Sequence, residues 1–75
     1  MKEIIEYIAG SLAHYPEEVV VTEELESGRI VVRLEVASAD KGLMIGRRGR
    51  VAQSIRALLR VTAIKQNTRA ILEIV

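Results

Sequence analysis

The sequence has no cysteine, phenylalanine or tryptophan, and a single histidine and a single proline in 75 residues. Without cysteine there is no disulfide framework, no thiolate zinc site and no cysteine nucleophile, and one histidine makes no imidazole cluster for a metal. A reducing, cytoplasmic setting is expected, with no cofactor. Nowhere do about eighteen apolar residues follow one another, and the N-terminus lacks an apolar stretch with a small-residue cleavage site, so neither a membrane span nor an export signal is expected. Only Tyr7 and Tyr15 are aromatic, and the apolar 49% of the chain must build its core from Ile, Val, Leu and Ala. A chain this short buries only about 60 to 65% of its unfolded surface, which leaves room for one domain over residues 1–75.

The net charge of +1 conceals a division. Residues 1–40 hold three basic and nine acidic groups, a balance of −6, whereas residues 41–75 hold eight basic groups against Glu73 alone, a balance of +7. A concentrated positive field attracts phosphate, so a polyanionic partner is one reading of the asymmetry, and two differently solvated faces are the other.

The spacing of Ile4, Ile5, Ile8 and Leu12 predicts an amphipathic helix from Lys2 to about His14. Gly10 weakens it by roughly 1 kcal/mol relative to Ala, and Pro16 turns the preceding residue away from helical geometry. The β-branched run Val19-Val20-Val21-Thr22 predicts a strand over about 19–25. Glu26-Ser27-Gly28-Arg29 is a tight-turn signal between extended runs. In the next strand Ile30, Val32, Leu34 and Val36 point one way and Val31, Arg33 and Glu35 the other. Ser38 or Asp40 is placed to cap a short helix over Lys41–Ile45. After Gly46-Arg47-Arg48-Gly49 a helix is expected from about Arg50 to Lys65, with Val51, Ile55, Leu58, Leu59 and Thr62 on one stripe. A turn at Gln66-Asn67-Thr68 then leads to a last strand in which Ala70, Leu72 and Ile74 alternate with Ile71, Glu73 and Val75.

The first two strands form an antiparallel hairpin. More than thirty residues separate the second strand from the third, a length that parallel pairing requires and short hairpins do not. The expected fold is α+β, of order α-β-β-α-α-β, with a three-stranded mixed sheet and all helices on one face.

The stretch Met44-Ile45-Gly46-Arg47-Arg48-Gly49-Arg50-Val51 carries the chemistry. Two glycines bracketing two arginines let the backbone turn sharply and a ligand come close. The following helix adds the positive end of its dipole and its first N–H groups to Arg47, Arg48 and Arg50. Gly-x-x-Gly alone also describes an ordinary helix–helix connection with solvated arginines. Here Ile45 before it, with Val51 and Ile55 after it, would lock the loop between packed helices. A Walker loop is excluded, because no Gly-Lys-Ser or Gly-Lys-Thr follows and no strand precedes.

Ile45-Gly46-Arg47-Arg48-Gly49-Arg50-Val51 resembles the signature of the KH domain, and the element order resembles its prokaryotic, type II form. The resemblance covers essentially the whole chain and extends to the stand-alone KH proteins of bacteria. It implies a loop that clamps the backbone of about four single-stranded nucleotides, with bases in a largely apolar groove. Carried over, Gly46 and Gly49 admit phosphate, Arg47 and Arg48 are the variable loop residues, and Arg50 is the basic residue after the second glycine. Ile45, Val51 and Ile55 take the aliphatic positions, and Lys41 joins the basic set. The sequence departs from the pattern at Ser38, where proline is expected, and at Leu43, where a basic residue often stands; Leu43 makes the groove entrance more apolar.

Elsewhere His14 has no acidic neighbour to orient it towards Ser11, and Glu17-Glu18 and Glu23-Glu24 are read as solvated surface. Tyr7 and Tyr15 are expected to pack against the helix or sheet. Val20, Val31 and Ile71 are expected on the sheet face away from the core, where an exposed apolar stripe would suggest a homodimer or a heterodimer with another KH-domain protein. The leading function is non-catalytic binding of single-stranded RNA, as a chaperone or post-transcriptional regulator. The alternative is a protein assembly adaptor using the sheet face or the first helix; no acid, base, nucleophile or metal set supports an enzyme.

Overall fold

Side-chain alternation in the strands and small residues on the helices decide which surfaces meet. The computed structural model describes residues 1–75. Helix α1 (Lys2–Leu12) is followed by a 3-10 turn (Pro16–Glu18) and by strands β1 (Val20–Glu26) and β2 (Arg29–Glu35). A second 3-10 turn (Ser38–Asp40), helix α2 (Lys41–Ile45), the glycine loop and helix α3 (Arg50–Lys65) then lead into β3 (Ala70–Ile74). The sheet order is β1-β2-β3, with β1 antiparallel and β3 parallel to the central β2. No helix is long and apolar enough to cross a membrane.

The hairpin turn has positive φ at both central residues, Ser27 at 52° and Gly28 at 77°, the pattern that matches the twist of paired strands. Val21, Val32, Leu34 and Leu72 project from one sheet face into a single core with Ile5 and Ala9 of α1, Met44 of α2, and Ile55 and Leu59 of α3. All three helices therefore lie on that face. At its far end α3 closes in a Schellman motif: Asn67 is left-handed (φ 56°), its N–H donates to the Ile64 carbonyl, and the Thr68 N–H donates to that of Ala63.

Four details differ from expectation. Helix α1 stops at Leu12, and its buried positions are Ile5 and Ala9, with Ile4 and Leu12 partly in solvent. On α3 the inward stripe is Ala52, Ile55, Leu59 and Ala63, because alanines let the helix approach the sheet; Leu58 points outward. Tyr7 and Tyr15 are exposed instead of packed. Asp40 does not cap α2. It is fully buried, and its carboxylate accepts the N–H of His14 at 3.1 Å and of Tyr15 at 3.0 Å. Two amides left free beyond the end of α1 are thereby satisfied, and the residue just before α2 is tied to the segment just after α1.

The sheet face away from the helices is not an apolar stripe. Val31 does project there, but it is only 2% exposed. Arg33, opposite Thr22 and Glu73, reaches back past Val31 to Glu24 at 3.0 Å and Glu26 at 2.9 Å, and binds Glu73 at 2.8 Å. Its stem covers the valine, and one guanidinium ties all three strands together. Hydrogen bonding from Arg33, and secondarily from Glu26, holds the Glu24 carboxyl below its ordinary range, and the three carboxylates raise the Arg33 pKa in turn. Glu24 is therefore an ion-pair partner and not simply solvated.

Candidate nucleic-acid interface

The glycine loop is built by three left-handed backbone steps. Gly46 (φ 76°, ψ 173°) ends α2, Arg48 is left-handed at φ 57°, ψ 28°, and Gly49 (φ 72°, ψ 13°) precedes the first residue of α3. Arg48 pays a conformational cost of about 1 to 2 kcal/mol that glycine would not. A right-handed residue followed by a left-handed one turns consecutive amide N–H groups to the same side, a concavity suited to anions. Arg47 opening the 3-10 turn and left-handed Arg48 make that step.

The two glycines have different reasons to be glycine. A Cβ on Gly46 would collide with Cγ2 of Val51 and stand 2.9 Å from the Val51 amide nitrogen, so this glycine lets α2 and α3 meet. A Cβ on Gly49 would meet nothing within 4 Å; only its backbone conformation and the space above it call for glycine. Of the helix donors expected to face a ligand, two are already used: the Gly49 N–H donates to the Gly46 carbonyl, and the Arg50 N–H to that of Arg47. No side chain caps the start of α3.

Arg47, Arg48, Arg50 and Lys41 are exposed, and Gly46, Gly49 and Val51 are half-buried. Ile45 is 46% exposed beside the loop and does not lock it; buried Met44 does, with Val51 packed against the core. Ile55 is 2% exposed and supports α3 from within, so it lines no groove. Leu43 is partly exposed.

Sequence reasoning did not find a cleft farther along α3. Between α3 and β3 lies a cavity of about 160 Å³ with Leu59, Ile71 and Leu72 in its walls and Arg56 and Arg60, one helical turn apart, along its rim. Strand β3 is paired on one side only, so its other edge offers unpaired N–H and C=O groups beside this cavity. The only signal in the sequence was the i, i+4 spacing of the two arginines. Arg33 is the sole arginine with a carboxylate in ion-pair contact; Arg47, Arg48, Arg50, Arg56 and Arg60 have none.

Comparison with known proteins agrees with this geometry. A family model described as KhpA/KhpB, KH domain, matches residues 2–74. RNA-binding protein KhpA of Clostridium perfringens is 43% identical over 75 residues, covering all of both chains. Proteins of the same name from Treponema pallidum and Oceanobacillus iheyensis are 43% and 39% identical over 74 residues, covering 99% of this chain and 92% and 99% of theirs. No solved structure matches the chain significantly. With its α-β-β-α-α-β order and three-stranded mixed sheet, the type II form of the KH fold, the chain belongs to the KhpA/KhpB family of KH domains.

Proposed function

We propose that the chain is a non-catalytic RNA-binding protein that grips single-stranded RNA by its backbone through Gly46-Arg47-Arg48-Gly49 and the start of α3, serving as a cytoplasmic RNA chaperone or post-transcriptional regulator. The observation that carries this reading is the meeting, at one uncapped helix start, of a left-handed turn and three arginines without carboxylate partners. Phosphates sit over the loop, contacted by its arginines, with Lys41 adding to the field. Bases lie along the α3–β3 cleft, against Ile71, where the open edge of β3 reads their polar edges. The name of the relatives, RNA-binding protein, agrees.

Fluorescence titration with a short single-stranded RNA tests the clamp. Gly49→Asp places a carboxylate where phosphate should lie, and is compared with Gly49→Ala, which shares the strain of a side chain at φ 72° without the charge. Gly49→Asp is expected to weaken binding at least about tenfold, or ~1.4 kcal/mol. Unchanged affinity would count against the loop.

A second reading, contact with another KH domain, is favoured by one observation. Leu58, Val61 and Ile64 are exposed at helical spacing on α3, and Leu58 and Val61 lie on the flank away from Arg56 and Arg60. This row, and not the charged sheet face, is the apolar surface a homodimer or heterodimer would cover. Size-exclusion chromatography of Leu58→Ser with Val61→Ser tests it: a shift to smaller apparent size supports the interface, and an unchanged profile opposes it.

A further inference from the structure

At the end of α3 remote from the loop, the helix, the hairpin and β3 enclose a second cleft, of about 370 Å³, whose charged walls are Arg29, Arg60 and Arg69. It shares Thr68 and Arg69 with an adjoining hollow of about 360 Å³ that reaches Gly28 and Asn67. None of the three arginines has a carboxylate partner. Glu26 stands opposite Arg29 in the hairpin register, but its carboxylate is bound to Arg33 at 2.9 Å, which leaves Arg29 unpaired. The side chains of Thr68 and Asn67 make no hydrogen bond within the chain, so neutral donors also line the hollow. Three unneutralised guanidinium groups around a concave, partly polar space make a site for a phosphate.

Position decides which phosphate. From Gly49 to Ile64 is nearly the whole of the 16-residue helix α3, about 22 Å at 1.5 Å per residue. Four nucleotides stacked at about 3.4 Å each cover roughly 10 Å. The far cleft therefore lies beyond the four nucleotides that a KH loop clamps, and on the same side of α3 as Arg56 and Arg60, with Arg60 shared by both cavities.

We propose that this far cleft is a second backbone-binding station, which takes a phosphate of the same single-stranded RNA several nucleotides away from the loop and lengthens the footprint to roughly seven or eight. The proposal rests on the reading of the loop as an RNA clamp. The α3–β3 cavity between the stations then carries bases, and the strand is held at both ends.

Anisotropy titrations with a tetranucleotide and an octanucleotide of one repeated base, on the intact chain and on Arg29→Gln with Arg69→Gln, test it. The double variant avoids Arg56 and Arg60, and its folding is checked by thermal melting. The intact chain is expected to bind the octamer with a salt slope more negative than the tetramer's by about 0.7, for the one further phosphate. In the double variant that difference should vanish. Tetramer affinity should stay unchanged, and the octamer should retain only the about fivefold advantage given by its number of binding registers. Equal slopes for both lengths on the intact chain, or an equal loss for both lengths in the variant, would overturn the second station. Gly49→Asp on the tetramer separates the two ideas: its failure to weaken binding removes the clamp itself, whereas a weakened tetramer with an octamer indifferent to Arg29 and Arg69 removes only the far site.

Discussion

Arginine occupies two opposite environments in this molecule. On the outer sheet face Arg33 is surrounded by Glu24, Glu26 and Glu73 within 3.0 Å. Along the loop and the α3–β3 edge, arginines of the same charge and length have no carboxylate in ion-pair contact. A guanidinium satisfied by its own fold is part of the architecture and neutralises the surface around it. One left without a partner keeps its field and its donors for a ligand. The sequence imbalance of −6 against +7 becomes a spatial separation partly because Arg33 engages hairpin glutamates that would otherwise stand near Arg29.

Changing one environment into the other gives graded outcomes. The largest loss of stability is expected at Asp40, the buried counterpart of Arg33 as an internally satisfied charge. Asp40→Ala leaves the His14 and Tyr15 amides without an acceptor, at about 1 to 3 kcal/mol for such a group. Thermal melting should show Tm lower by roughly 5 to 20 °C, while RNA affinity measured well below that transition should change little. Next, Arg47→Ser with Arg48→Ser should lower RNA affinity at least about tenfold and make the salt slope less negative by about 1.4, with Tm unchanged. Smaller again, Arg33→Gln should lower Tm through unrelieved repulsion among three carboxylates, with no effect on the salt slope of a tetranucleotide held at the loop. A changed slope in that variant would break the contrast between the two faces.

The smallest effect is in pH. Arg33 holds the folded Glu24 carboxyl below its ordinary value of 4.5. A depressed folded pKa contributes stability above the unfolded value, and that contribution is lost as pH falls through the folded one. The Tm difference between the intact chain and Arg33→Gln should therefore narrow as pH drops below 4.5.

The elements with local signatures were legible in the sequence. Gly28 marked the hairpin turn, the alternation from Ile30 to Val36 gave the faces of β2, and the two loop glycines located the candidate site. What failed depended on contacts between distant segments. Asp40 looked like a helix cap because a capping aspartate and one reaching amides 26 residues away share the same local pattern. Val31 looked exposed because Arg33, beside it on β2, is drawn back over it by Glu24 and Glu26 of the neighbouring strand. Leu58 looked buried because α3 carries aliphatic residues on nearly all sides, and the small residues Ala52 and Ala63 decide which side approaches the sheet. The α3–β3 cleft needed both elements in place before Arg56 and Arg60 had a wall to face.

The central claim is that single-stranded RNA meets the arginines that have no carboxylate partner and leaves the ion-paired Arg33 cluster untouched. Backbone amide chemical shifts followed by NMR during titration with a short single-stranded RNA test this most directly. The account predicts large changes from Gly46 to Val51 and along Arg56, Arg60 and Ile71, with Thr22 to Glu24 unmoved. Changes confined to the outer sheet residues, with the loop silent, would contradict it.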